Sequence, residues 1–111
     1  MRPWICSIRP ENFTEKVILE KKPVLLVCME RDDSFFKQLT VLQNVAERYE
    51  KELKVGLLSQ DSMETFKRKL KIVGTPTFLL MLEGKEISRF LGVIDQKTLT
   101  DLIDKHLSAY Q

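Results

Sequence analysis

Two uninterrupted apolar runs and one long helical repeat dominate the pattern of this chain. The runs are Val24–Met29 and Leu79–Leu82, and neither contains a polar residue. Short runs in which apolar and polar residues do not alternate are typical of strands that are covered on both faces. Between them, apolar residues recur at spacings of three and four: Phe35, Leu39, Leu42, Ala46 and Tyr49. This spacing predicts an amphipathic helix of about four turns.

Shorter segments complete the predicted order of elements, β-α-β-α-β-α-β-β-α. Three further strands are predicted at Trp4–Ile8, Val55–Leu58 and Ile87–Leu91, with Gly84 at the tip of a hairpin before the last one. Because helices join the first three strands, those strands should be parallel with right-handed crossovers. The sequence therefore predicts an α/β fold with a five-stranded mixed sheet flanked by four helices.

Four helix starts and a buried core follow from the same pattern. The predicted caps are Asn12 with Glu15, Asp33 or Ser34, Asp61 with Glu64, and Asp95. The most buried strand segments should be Val24–Cys28 and Phe78–Met81. Six side chains should pack on the two faces of the sheet: Phe13, Leu39, Leu42, Phe66, Leu99 and Ile103.

Composition narrows the class of protein but does not identify a ligand. The 111 residues predict a single domain, 1–111, and the net charge of +2 is too small to imply nucleic acid. No apolar run approaches the ~20 residues of a membrane span. The first ten residues lack the apolar region of a signal peptide. We therefore expect a cytoplasmic protein without nucleic-acid or membrane partners.

The segment Val73-Gly74-Thr75-Pro76-Thr77-Phe78 carries the strongest family signal. Pro lacks a backbone donor and suits the start of a strand. Together with Lys22–Val27 entering the central strand, and with Gly84 followed by Gly92, it makes nearly the whole chain resemble thioredoxin. The resemblance implies the thioredoxin fold and a cis peptide bond between Thr75 and Pro76.

The chain departs from that family at the position of the redox site. Thioredoxins carry Cys-x-x-Cys where the central strand leads into the long helix. Counting without gaps from Pro23, those positions are Asp33, Ser34, Phe35 and Phe36, which form a vestigial active-site loop without sulfur. Dithiol exchange needs an attacking thiolate and a resolving thiol. The family's buried acid would fall on Val27, which cannot transfer a proton.

The remaining candidates give weak signals for chemistry. Cys28 lies in an apolar strand and is predicted to be a buried hydrophobe, with a reactive thiol as the alternative. Cys6 has the same two interpretations, and the strand order that the resemblance to thioredoxin implies places it too far from Cys28 for a disulfide. The lone His106 cannot build a zinc site. The acidic cluster within Glu30–Asp33 is interpreted as solvated loop charge and helix capping, with a divalent-cation site as the alternative, so neither a metal nor a cofactor is predicted.

Two functional hypotheses remain open. The first is a redox-inactive, protein-binding or accessory-chaperone module that binds an extended peptide at Thr75, Pro76 and Phe36, or a second copy of the chain as a homodimer. The second is a single-thiol oxidoreductase that uses Cys28 or Cys6. Helical spacing turns Phe36 away from the buried face of Phe35, which predicts an exposed anchor. Burial of Phe36 under the preceding loop is the alternative.

Overall fold

A computed structural model describes residues 5–108, so the predicted contribution of Trp4 to the first strand lies outside the described residues. The strands are β1 (Ile5–Ile8), β2 (Val24–Cys28), β3 (Lys54–Leu58), β4 (Thr77–Leu82) and β5 (Lys85–Leu91). The α-helices are α1 (Phe35–Arg48), α2 (Met63–Lys69) and α3 (Gln96–Ser108). Short helical turns occupy Pro10–Asn12, Thr14–Ile18 and Gln60–Ser62. No helix within 5–108 is long and apolar enough to cross a membrane.

The five strands form one mixed sheet in the order β1-β3-β2-β4-β5. β3 runs parallel to β1 and β2, whereas β4 is antiparallel to both β2 and β5. Cys28 at the end of β2 is paired with Thr77 at the start of β4, and Thr77 is paired with Leu91 at the end of β5. We call the sheet edge where β1, β2, β3 and β5 end and β4 begins the carboxyl edge.

The sheet separates two apolar clusters, and this places the helices on both faces. α1 and α3 cover one face, where Leu42, Leu99 and Ile103 are fully buried. The other face is covered by the helical turn Thr14–Ile18, which contributes Val17, and by α2, which contributes Phe66. β2 is buried along its whole length, as the sequence predicted. Of the predicted packing residues, Phe13 and Leu39 are only partly buried at the margins of the two clusters.

The helix starts differ from the sequence prediction at three of four places. Asn12 ends a 3₁₀ turn and its Oδ1 accepts a hydrogen bond from the Arg9 N–H, so a 3₁₀ turn and a π turn replace the first α-helix. Ser34 is the N-cap of α1, but neither it nor Asp33 caps the helix with its side chain. α2 follows a 3₁₀ turn that already contains Asp61, so that carboxylate is no N-cap.

The fourth helix start and the hairpin follow the sequence prediction. Asp95 Oδ1 accepts a hydrogen bond from the Thr98 N–H at 2.8 Å and caps α3. Glu83 and Gly84 form the two-residue hairpin loop, with φ of 50° and 80°. Positive φ at both positions is what a type I′ turn requires, and Gly meets it without strain.

Candidate functional site

The loop after β2, Met29–Ser34, is fixed by polar contacts on both of its sides. Gln60 Nε2 donates to the Met29 carbonyl at 2.8 Å, and Lys67 Nζ forms an ion pair with Glu30. Asp32 Oδ1 accepts hydrogen bonds from the N–H and the hydroxyl of Ser34. The carboxylate of Asp32 therefore shapes the turn that leads into α1, whereas no side chain caps the helix at Ser34.

The four vestigial positions begin α1 at the carboxyl edge. Asp33 is exposed, Ser34 is half-buried, and Phe35 points into the core with 3% of its surface exposed. Phe36 is 69% exposed, and its ring meets that of Phe35 edge to face at a centroid distance of 5.2 Å. The alternative in which Phe36 is buried under the preceding loop does not occur in this structure.

The two cysteines lie on β1 and β2 and are not bonded to each other. Cys28 is 1% exposed, and burial raises the pKa of its thiol. The attacking species in thiol exchange is the thiolate, so burial of this kind disfavours reaction at Cys28. Cys6 is half-buried on the edge strand β1. Val27, also on β2, is fully buried and brings no ionisable group beneath the loop.

The segment that leads into β4 presents free backbone at the carboxyl edge. The Thr75–Pro76 peptide bond is cis. The backbone N–H and C=O of Thr75 make no hydrogen bond within the described part of the chain, 5–108. On either side of Thr75 the backbone is fixed, because the Thr77 hydroxyl donates to the Gly74 carbonyl at 2.6 Å and the Gly92 N–H donates to the Pro76 carbonyl at 2.9 Å.

Four exposed apolar side chains lie at the same edge, and we call them the edge patch. Their exposed fractions are 69% for Phe36, 89% for Val73, 53% for Leu91 and 60% for Val93. A Cβ built on Gly74 would lie 3.3 Å from Leu91 Cδ1, so Leu91 packs over the backbone next to Thr75. Val93 shares a shallow groove with the first turns of α1. The carboxyl edge that carries the free Thr75 backbone therefore also carries exposed apolar side chains from α1, from β5 and its following loop, and from the segment before β4.

A buried amide that the sequence analysis missed holds one side of this patch. Gln38 of α1 is 2% exposed. Its Nε2 donates to the Ile94 carbonyl at 2.8 Å, and its Oε1 accepts from the Ile94 N–H at 3.0 Å. The side chain thus pairs with the loop after β5 as a strand would and fixes Val93 beside α1. The available signal was a Gln three residues after Phe35 on the apolar face of the helix.

An arginine on β5 anchors the other side of the patch. Arg89 donates to the carbonyls of Leu70 and Lys71 at 2.8 and 2.9 Å, where α2 ends and Lys71 adopts a φ of 56°. The carboxylate of Glu86 holds the same guanidinium through two hydrogen bonds of 2.8 Å, and Arg89 lowers the pKa of that carboxyl. Arg89 therefore positions the start of the segment that carries Val73.

Comparison with known proteins gives a family. The family model for thioredoxin matches residues 5–105. The chain belongs to the thioredoxin family. Among its relatives are the thioredoxins of Griffithsia pacifica, 24% identical over 95% of this chain and 97% of the relative, and of Pyropia yezoensis, 26% identical over 94% and 98%. A thioredoxin of Porphyra purpurea is likewise 26% identical over 94% of this chain and 98% of the relative.

Within this thioredoxin-family fold, the site residues that the sequence selected lie at one edge of the sheet. Thr75, Pro76 and Phe36 all lie at the carboxyl edge, as do Asp33 and Ser34. His106 lies half-buried on α3. No group of three or more His, Cys, Asp or Glu side chains within 5–108 is arranged to hold a metal ion. The arrangement offers backbone hydrogen bonds and apolar contact at this edge.

Proposed function

We propose that this thioredoxin-family protein is a redox-inactive binding module that recognises an extended polypeptide at the carboxyl edge. The observation that carries the proposal is the free backbone of Thr75 at the edge that also carries the edge patch, with Leu91 packed beside Gly74. An extended chain can add to such backbone as a strand, while pockets for its side chains supply specificity. A second copy of this chain is a partner of the same class. We expect this binding to take place in the cytoplasm.

Two observations argue against the oxidoreductase alternative: the Cys28 thiol is buried, and the chain has no Cys-x-x-Cys motif at the start of α1. The vestigial loop contains no sulfur, and the raised pKa of Cys28 keeps that thiol protonated at neutral pH. Only Cys6 retains partial exposure among residues 5–108. One thiol without a resolving partner cannot complete dithiol exchange.

Phe36→Asp tests the binding proposal. The exposed ring is the largest side chain of the edge patch, and its replacement by a carboxylate should weaken partner binding about tenfold or more, as loss of an interface anchor does. The change should leave the melting temperature nearly unaltered, because Phe36 is 69% exposed. Quantitative affinity capture from the native cell identifies partners, and titration of each purified partner gives the affinity.

Leu19→Asp is the matched control. Leu19 has the same exposed fraction as Phe36, 69%, but it lies in the connection that enters β2, at the opposite edge of the sheet. Partners that are lost with Phe36→Asp and retained with Leu19→Asp would support the proposal. Equal loss with both variants, or a large fall in stability with Phe36→Asp alone, would contradict it. Sedimentation of both variants tests the homodimer in the same way.

Insulin reduction with dithiothreitol tests the alternative function. We expect no catalysis by the wild-type protein, because no thiol lies at the start of α1. In labelling with iodoacetamide, Cys6 should react faster than Cys28 in the native protein, because burial raises the pKa of Cys28. Insulin reduction that disappears with Cys28→Ser would instead assign the protein to the oxidoreductases.

A further inference from the structure

A second concave site lies at the carboxyl edge, on the side away from the edge patch. It is a pocket of about 270 Å³ between the ends of β1 and β3 and the start of α1. Its apolar floor includes Phe35 and Leu57, both buried, and its polar rim includes Ser7, Arg9 and Arg31. We call it the arginine pocket.

The topology makes this pocket a favoured place for a ligand. The chain that leaves β2 forms α1 on one face of the sheet, whereas the turns and helix after β1 and β3 pack on the other face. Neighbouring strands β2 and β3 therefore send their connections in opposite directions. In open α/β sheets, ligands bind outside the carboxyl ends of strands where the connections diverge in this way. The arginine pocket lies at this point, between the loops after β2 and β3.

The pocket has a surplus of one positive charge. Arg9 and Arg31 line it together with a single carboxylate, that of Asp61. Arg9 Nη1 lies 3.3 Å from Asp61 Oδ2, which leaves the charge of Arg31 without an acidic partner in the pocket. Asp32 does not line the pocket, and its Oδ1 accepts hydrogen bonds from Ser34. A ligand with one negative charge would balance this arrangement.

Arg31 is held in place without using its hydrogen-bond donors. Its guanidinium carbon lies 4.7 Å from the centre of the Phe35 ring, a cation–π contact that holds the group over the ring. The side chain makes no hydrogen bond or ion pair to any residue in 5–108. A planar guanidinium with free N–H groups matches the two oxygens of a carboxylate. Phe35 begins α1, so the positive end of the helix dipole also faces an anion here.

We propose that the arginine pocket binds a monoanionic carboxylate carried on a short apolar body, with the carboxylate on Arg31 and the apolar part over Phe35 and Leu57. The single surplus charge favours a carboxylate over a doubly charged phosphate. Such a group is found in a free organic acid or at the apolar C-terminal residue of a polypeptide. The inference does not rest on the function of the edge patch.

Titration followed by amide chemical shifts tests this proposal with phenylacetate as the probe and phenylacetamide as its neutral counterpart. We expect phenylacetate to shift amides of Ser7, Arg31, Phe35 and Leu57, and phenylacetamide to bind at least about tenfold more weakly, as loss of a charge-assisted bidentate contact predicts. Equal binding of the two probes, or shifts confined to other parts of the molecule, would overturn the proposal.

Arg31→Gln should weaken phenylacetate binding by a similar factor, about tenfold. The matched control is Arg48→Gln, because Arg48 also stacks on an aromatic ring, at 5.5 Å from the centre of Tyr49, but lies outside the pocket. Ser7→Phe is a second variant that keeps every charge and fills an exposed position on the rim. It should block the probe even if Arg31→Gln fails to fold. Unchanged binding in a folded Arg31→Gln variant or in Ser7→Phe would refute the assignment.

Two further probes separate the sources of the carboxylate. Acetyl-Gly-Phe with a free carboxylate and the same dipeptide as its amide represent a polypeptide C-terminus. Tighter binding of the free dipeptide than of phenylacetate would assign the pocket to a polypeptide, and the reverse order would assign it to a free acid. Failure of both acids to bind would overturn the proposal. Val73→Asp in the edge patch should leave the affinities for phenylacetate and for acetyl-Gly-Phe unchanged. Binding in the arginine pocket can therefore be tested separately from partner binding at the edge patch.

Discussion

The two halves of the carboxyl edge present opposite surfaces on one sheet. Around Thr75 the edge is apolar and rests on fixed backbone, with Gln38 and Arg89 holding its two sides. Around Arg31 the edge is concave and positively charged, with an apolar floor. Of the two adjacent aromatic residues at the start of α1, Phe35 lines the arginine pocket and Phe36 is exposed at the carboxyl edge.

This difference shows what remains when a thioredoxin-family fold has no dithiol. The shape of the edge depends on the strands and on contacts made outside the four vestigial positions, such as those of Gln38 and Arg89. In this chain the ends of β2 and β5 pair with the start of β4, and the Thr75 backbone is free, although neither cysteine lies at the start of α1. The backbone arrangement of this edge therefore forms without a dithiol.

The largest expected effect is a loss of folding stability when a side chain of the buried core is truncated. Leu25 and Leu79 are each 1% exposed, on neighbouring strands and in opposite apolar clusters. Leu25→Ala and Leu79→Ala should each lower the free energy of unfolding by about 2–5 kcal/mol, because each leaves a cavity. Urea denaturation measures the change, and Leu19→Ala at an exposed position is the control. Near-neutral results for both core variants would contradict the central, buried placement of β2 and β4.

A smaller effect is expected at the buried amide beneath the apolar half. Gln38→Leu removes both hydrogen bonds to Ile94 and leaves a buried backbone N–H and C=O without partners, which should cost about 1–3 kcal/mol. Hydrogen exchange at the Ile94 amide should accelerate in the variant. The control is Asn44→Leu, which removes an exposed bond to Gln96. Unchanged exchange at Ile94 would show that the loop is held without Gln38.

Most of the fold could be predicted from the sequence, whereas the site could be predicted only in part. Apolar runs such as Val24–Met29 reveal their strands because both faces are buried, and capping by Asp95 was recognised from its position. The Asn12 and Glu15 pattern located a helical segment correctly, but such a pattern does not distinguish an α-helix from the 3₁₀ and π turns that form it.

The partners in long-range polar contacts could not be identified from the sequence. Gln38 and Ile94 are 56 residues apart, and the bonds from Arg89 reach carbonyls 18 and 19 residues away. The arginine pocket likewise combines Arg9, Arg31 and Asp61 from three separate connections. Spacing along the chain cannot reveal such groups, because the sheet order and not the sequence order makes them neighbours.

The smallest expected effect concerns Arg89, which binds the Leu70 and Lys71 carbonyls just before Val73. Arg89→Gln should lower the free energy of unfolding by about 1 kcal/mol, because the exposed ion pair with Glu86 contributes little and the Leu70 and Lys71 carbonyls are partly hydrated when released. The expected change is therefore below that of Gln38→Leu. Urea denaturation at neutral pH measures it.

The pH dependence of the stability difference between wild type and Arg89→Gln shows how much of it comes from the ion pair with Glu86. Arg89 lowers the pKa of Glu86 from 4.5, so the pair stabilises the folded state above that ordinary value. Its contribution is lost as the pH falls through the lowered pKa, where Glu86 becomes protonated in both states. The stability gap between wild type and Arg89→Gln should therefore be widest at neutral pH and narrow in acid. A gap that stays constant from neutral pH to below the lowered pKa would assign the whole effect to the bonds with Leu70 and Lys71.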